Sequence, residues 1–398
     1  MASESLQTDA LEERIQQRVG ARVRELRQAA GITAVILAER TGISQGQLSK
    51  IENAKAALSV KVLTRLCRIF DRPVGYLFQS FDEMPRVLGT LTTVKGPEDA
   101  GIQWFTEEVR RLTDGGLALI PLRPSQIGAA AAQVDQLKDG LIDVFVEEPF
   151  YYSRFVPGFD AFALPYAFGS EFHRRVFLAS PFFRARLVEP LRQAGIRIVN
   201  RRWNWLRGVE WVLAANRPVV APEDLHGLKV RIVDSRLLRR FWLALGARPV
   251  AVPWAEVGAA LQAGDIDVLP THKAHLYPLE FCRHMRFVSL LGDLPPVLSV
   301  AVNEAKYQVL RPDIQKALLD ACDRAGDFFS AHVRQAETEN EALNIARFKT
   351  AYLKVSLDPW RAVVARARDV LLAEGLLDAE TAAMVAAAEF SMEGKPVP

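Results

Sequence analysis

Apolar positions recur along the first 80 residues at helical spacing. Val19, Val23 and Leu26 form one stripe, which Gly31 ends as a helix C-terminal signal. Thr33 is placed to cap a short helix through Leu37 to Arg40. Gly42 follows as a tight turn, and Ser44 caps a third helix with Leu48 and Ile51 facing inward. Ser59 opens a fourth helix carrying Leu63, Leu66 and Ile69. Short helices with three- to four-residue joints make a helix-turn-helix plan. Leu11, Ile15, Val19 and Val23 line one face of a longer helix over 8–30, either the packing face of the first helix or a dimer seam.

After residue 86 the rhythm changes. Strand patterns at 87–92, 117–122 and 142–147 alternate with helical patterns at 98–113 and 129–138. The alternation restarts with "RIVN", "EWVLAA", "KVRIV" and "IDVLP", and a long helical tail begins near Asp313. Such alternation predicts α/β lobes built on parallel sheet, with a cleft between them suited to a small ligand. The expected organisation is an all-α helix-turn-helix domain over 1–80, a linker at 81–86, and an α/β two-lobed domain over 87–398.

Charge sharpens this division. Residues 1–80 carry 12 Lys and Arg against 8 Asp and Glu, leaving 38 against 39 for the rest. A basic head on a neutral body confines any nucleic-acid contact to the head. Cys67, Cys282 and Cys322 are isolated, odd in number and without metal-ligand spacing, so buried thiols in a reducing compartment are expected. The first 20 residues are polar and charged, with no apolar core of a secretory signal, and no run approaches a membrane span. The chain is therefore expected to be soluble and cytoplasmic, with no membrane partner.

The segments "VGARVRELRQAAGIT", "LAERTGISQGQLSKIENAK" and "LSVKVLTRLCRIFDRPVGYLF" resemble the Cro/repressor-type (XRE-like) helix-turn-helix family over about residues 18–78. The resemblance implies that the helix beginning near Ser44 enters the major groove of double-stranded operator DNA. Gln45, Gln47 and Lys50 would then meet base edges, and Arg40, Ser44 and Lys55 the phosphates. Gly46 leaves one recognition-helix position without a side chain, and Ala34 stands where the family often has a polar phosphate contact. Both departures lower the affinity expected of one head and make a homodimer or higher homo-oligomer more important.

The body carries "PLRPSQIG", "QLKDGLIDV", "FVPGFDAFALPYAF", "NRPVVAPEDLHGLKVRIVDS" and "LGARPVAVPWAEVGAALQAGDIDV", in an order and spacing similar to the solute-binding proteins of tripartite ATP-independent periplasmic (TRAP) transporters. The resemblance spans about residues 86–375 and implies an α/β two-lobed, periplasmic-binding-protein-like domain whose lobes close over an organic acid. The family's carboxylate-pairing arginine falls on Arg231, whose planar, permanently charged fork matches a carboxylate. Trp254 falls at an aromatic ligand position, Glu148 at a polar one, and Thr271 where the family prefers Asn. At "RGVEW", residues 207–211, the family usually has a second arginine; here Glu210 occupies that place, or Trp211 if the register slips by one. A dicarboxylate is thereby disfavoured, and a monocarboxylate, aromatic or zwitterionic, is expected.

His272 and His275 form a His-x-x-His pair that could share a metal with Glu147 or Glu148, or simply hydrogen-bond a ligand. No cofactor and no metal are expected. No nucleophile elbow, phosphate loop or Cys/His pair asks for an enzyme. The expectation is a one-component transcriptional regulator that senses an organic acid by lobe closure. The alternatives are a transport-type binding protein with an incidental head, or an enzyme acting on an acid in the cleft.

Overall fold

The computed structural model describes residues 16–17, 19–56, 58–70, 86–90, 96–122 and 124–390. They form two compact units, one before residue 86 and one from Arg86 onward. Leu11 and Ile15, on which a dimer seam would depend, lie outside the described residues, as does the expected linker apart from Arg86.

The head packs a helix over 19–29 (α1) with Ala34–Thr41 (α2), Gln45–Glu52 (α3) and Val60–Phe70 (α4). Val23, Leu37, Leu48 and Leu66 fill its centre. The expected caps are in place. The hydroxyl of Thr33 accepts from the Ile36 N–H, that of Ser44 from Gln47, and that of Ser59 from Val62. Gly42 adopts φ 67° and ends α2, the left-handed turn that lets α3 follow at once. At Gly20 a Cβ would collide with the carbonyl of Ile51, so the absent side chain lets α1 lie directly on α3. The same contact is locked by charge. Arg27 donates a fork to buried Glu52, at 2.7 and 2.9 Å. Arg65 donates to the Thr41 carbonyl at 2.7 Å and fastens α4 to the end of α2.

Among the described residues the body holds eleven strands in two sheets. The first contains β1 (Arg86–Thr90), β2 (Leu119–Leu122), β3 (Val144–Glu147), β4 (Ile196–Ile198) and β10 (Ser299–Asn303), in the order β2-β1-β3-β10-β4. The second contains β5 (Trp211–Ala215), β6 (Lys229–Ile232), β7 (Arg248–Ala251), β8 (Val268–His272), β9 (Phe287–Asp293) and β11 (Ala351–Lys354), in the order β11-β9-β5-β8-β6-β7. The principal helices are α5 (Pro97–Leu112), α6 (Ala130–Lys138), α7 (Glu171–Ala179), α8 (Arg236–Ala244), α9 (Val257–Ala263), α10 (Pro312–Phe348), α11 (Leu357–Ala373) and α12 (Ala379–Phe390).

Both sheets are mixed, where the alternating pattern had suggested purely parallel ones. β10 runs antiparallel to β3 and β4, and β5 antiparallel to β8 and β9. The chain leaves the first sheet after β4, builds most of the second, then returns to insert β10 between β3 and β4. β10 enters antiparallel to both neighbours, whereas β11, which reaches the second sheet through α10, pairs parallel with β9.

The two crossing segments brace each other. Leu206 and Val297 form an antiparallel bridge, Leu298 donates to the Trp205 carbonyl at 2.8 Å, and Arg207 donates to the Pro296 carbonyl at 2.9 Å. The third link is α10, whose 37 residues span about 55 Å at 1.5 Å per residue and deliver β11 to the second sheet. Near its middle the carboxyl of Glu337, 2 % exposed, accepts from the N–H of Val209 at 2.6 Å and of Ala274 at 3.1 Å. One side chain of the helix thus holds the crossing segment and the end of β8 together. Cys282 and Cys322 are buried thiols, whereas Cys67 is only partly covered. Among the described residues no helix is long and apolar enough to cross a membrane.

Candidate functional site

A cavity of about 130 Å³ opens between the two sheets. Its walls come from the end of β3 and the turn after it, the crossing segment at Arg207, the start of β5, the end of β6, α8, and the end of β8. Apart from α8 and the crossing segment, each wall is a strand end or the loop beyond it, where alternate side chains leave the pleat and point into the space between lobes.

Arg231 is the third residue of β6 and is 9 % exposed. Its Nε donates to the Val252 carbonyl at 3.0 Å, which orients the guanidinium. The group stands 5.5 Å from the ring centroid of Trp254. No carboxylate among the described residues pairs with it within 4 Å. Burial accordingly lowers its pKa from the ordinary arginine value, in part offset by the charges of Tyr151 and Glu148. A buried cation with aromatic neighbours and no counter-ion is an electrostatic deficit that a ligand carboxylate would relieve.

The opposite corner is built the other way. Arg207, 4 % exposed, meets three glutamates. Its two terminal nitrogens bond Glu147 at 2.5 and 3.0 Å, and Nη1 reaches Glu148 at 2.9 Å. Nε lies 2.9 Å from Glu98, at an angle too poor for a directed hydrogen bond and so a charge contact. Two imidazoles complete the cluster. His272 Nε2 is 3.2 Å from Glu148, and His275 Nε2 is 3.0 Å from Glu98, with His275 Nδ1 at 3.3 Å from the Thr271 hydroxyl.

Burial pushes all three carboxyls up, yet the partners divide them. Arg207 and His275 pull Glu98 well below the usual range, and His272 with Arg207 holds Glu148 down. Glu147 stays raised, because burial and the repulsion of Glu148 and Glu98 outweigh Arg207. Burial brings His272 down to about 4, so it is neutral at pH 7. Arg207 is held well above its ordinary value, its burial overcome by the three carboxylates. The glutamates therefore absorb this cation entirely.

Seven of the residues singled out from the sequence, Glu148, Trp211, Arg231, Trp254, Thr271 and the His272/His275 pair, line this one cavity. Glu210 does not. Its carboxylate turns to the N–H of Gly292 at 2.7 Å, because the pleat of β5 sends Trp211 inward and its predecessor outward. Trp211 instead lies stacked 6.5 Å from Trp242. Of the other aromatic residues near the crossing, Tyr151 lines the cavity, whereas Trp205 and Tyr152 are buried core and Trp203 packs on Phe183. No group of three His, Cys, Asp or Glu side chains among the described residues is arranged to hold a metal. The residue missed from the sequence is Arg207, together with Glu98. An arginine does stand in this corner, but the signal that it is already neutralised comes from positions 59 to 109 residues away.

In the head, Arg40, Ser44, Gln45, Gln47, Lys50 and Lys55 are all exposed, on α3 and the residues bordering it. Gly46 is open to solvent between Gln45 and Gln47. Leu48, Ile51 and Glu52 face inward, so α3 is a polar ridge held from behind.

Residues 88–367 match the family model described as bacterial extracellular solute-binding protein, family 7, and residues 18–75 match a helix-turn-helix domain model. The chain is 26% identical over 254 residues to the 2,3-diketo-L-gulonate-binding periplasmic protein YiaO of Escherichia coli, covering 64% of this chain and 75% of that one. It is 24% identical over 281 residues to the sialic acid-binding periplasmic protein SiaP of Vibrio cholerae, covering 69% and 84%. A TRAP periplasmic solute-binding protein from Roseobacter denitrificans, solved with bound L-galactonate, superposes with a TM-score of 0.69 at 22% identity, covering 78% of this chain and 99% of that one. That likeness establishes the two-lobed α/β fold.

Proposed function

The chain belongs to family 7 of the bacterial extracellular solute-binding proteins and carries a helix-turn-helix domain ahead of that body, and from this premise we propose that it is a one-component transcriptional regulator. The head binds operator DNA as a homodimer, through Gln45, Gln47 and Lys50 on base edges and Arg40, Ser44 and Lys55 on phosphates. The body binds an organic acid in the cytoplasm and releases it unchanged. The observation that carries the reading is Arg231, a buried guanidinium open to the cleft with no carboxylate partner among the described residues, on the same chain as an exposed polar α3.

The charges define the ligand. Arg231 offers one cation; Arg207 is spent on Glu98, Glu147 and Glu148. A second carboxylate would meet those glutamates or Trp211. A monocarboxylate fits, with its body against Trp211, Trp242 and Trp254 and any donor or cationic group toward Glu148. The similar proteins' ligands are acids, in keeping with this polarity.

Lobe closure transmits binding, and a coupling of ~1–3 kcal/mol changes operator affinity some five- to 150-fold. The test starts from a thermal-shift panel of monocarboxylic, dicarboxylic and zwitterionic acids on the full chain. Genomic fragments retained by the protein supply the operator. Fluorescence anisotropy is then read with and without the best acid, in wild type and Arg231→Ala. The expected result is a shift in operator affinity that the variant loses. An acid that binds while operator affinity stays put would end the sensing reading, and chemical conversion of the acid would replace it with an enzyme.

A further inference from the structure

Behind the cleft lies a larger cavity, of about 480 Å³. The segment 163–166 lies between the two spaces: Ala163 and Pro165 line the cleft, and Leu164, Pro165 and Tyr166 line the larger cavity. One wall is α12, which packs on α7 with the first lobe's core; the facing wall is α11, whose Trp360 and Val364 belong to the core of the second. The dividing wall is held firmly. Tyr166 sits at φ 52°, a left-handed conformation costly for a tyrosine. It is fixed there by its N–H on Asp293 at 3.1 Å and its hydroxyl on the Leu291 carbonyl at 2.6 Å.

Polar groups around this cavity divide into used and unused. Asp293 accepts from Tyr166 and Leu294, and burial brings it up to about 6. His173 is bonded at both nitrogens, to the Gly169 N–H and the Val385 carbonyl. Arg361 and Arg368 remain. Both line the cavity from α11, and neither has an ion pair among the described residues. Arg361 stands 5.8 Å from the Tyr166 ring. Seven residues put the two side chains on one helix face, with their Cα atoms about 10.5 Å apart along the axis. Val364 and Ala365 form the floor between them. The pattern is cation, apolar strip, cation.

We propose that this back cavity is a second ligand site, taking an elongated organic dianion with an apolar middle. An α,ω-dicarboxylate places one carboxylate on each guanidinium and its methylene chain over Val364 and Ala365. The site is the electrostatic opposite of the cleft, which disfavours dicarboxylates. Its walls come from both lobes, so an occupant responds to their arrangement.

The probe is octanedioate, titrated calorimetrically into the full chain, with 1,8-octanediol as the uncharged control. Saturable binding at one site per chain is expected, retained in Arg231→Ala and weakened ~10-fold or more by Arg361→Ala or Arg368→Ala. Ala382→Trp, which fills the cavity and leaves both arginines, should abolish it. No saturable binding overturns the proposal. So does binding that is lost in Arg231→Ala but kept in the α11 variants, or a diol that binds as well as the diacid.

Discussion

Arg207 and Arg231 are two buried guanidiniums in one cleft, and they have opposite situations. Arg207 is enclosed by three carboxylates and held far above its ordinary pKa. Arg231 has a carbonyl on Nε, an aromatic face, and a pKa lowered by burial. Counting arginines would make this a two-cation site suited to a dicarboxylate. Asking which charge is already satisfied makes it a one-cation site. A buried ion contributes to ligand binding only as far as the protein has left it unpaired.

The comparison can be broken most directly at Arg207. Arg207→Ala leaves three buried glutamates without their cation and should destabilise the body by about 3–5 kcal/mol in urea unfolding. Arg231→Ala should leave stability nearly unchanged or slightly raised, while weakening acid binding by about 2–4 kcal/mol. If both variants lose stability equally, the contrast between the two corners is wrong.

His272 sharpens it through pH. Its folded pKa, about 4, lies below the ordinary 6.5, so the unfolded chain binds more protons between those values. Its contribution is present above pH 6.5 and lost as pH falls toward 4. His272→Gln should therefore gain stability relative to wild type between pH 7 and pH 4.5, by at most ~3 kcal/mol at 1.36 kcal/mol per unit. A difference in melting temperature that does not change with pH would exclude a neutral buried His272.

The smallest expected effect is at Trp211. Trp211→Arg adds a cation beside Arg231 and should raise the affinity ratio of dicarboxylate over monocarboxylate by ~10-fold, about 1.4 kcal/mol, in competition titrations. An unaltered ratio would mean that Trp211 does not face the bound acid.

Much of the molecule was legible from local pattern. Caps at Thr33, Ser44 and Ser59 and the turn at Gly42 are set by chemistry within four residues, so the head reads directly from its sequence. The strands that alternate with helices were found within two or three residues of their ends. β7 and β9–β11 were not, because connectivity rather than periodicity places β10 and β11. The register ambiguity at 210–211 was a question of pleat, and only a paired strand has a face. Once β5 pairs with β8 and β9, Trp211 must point inward and Glu210 cannot.

The sequence by itself determined the elements and the exposed polar ridge of α3, since these depend on spacing and caps, and its resemblance to a family singled out Arg231. Only the tertiary structure decided which arginine is free. Glu98, Glu147 and Glu148 reach Arg207 from a helix and a strand end far along the chain, and the free energy of a buried charge depends on what surrounds it in space.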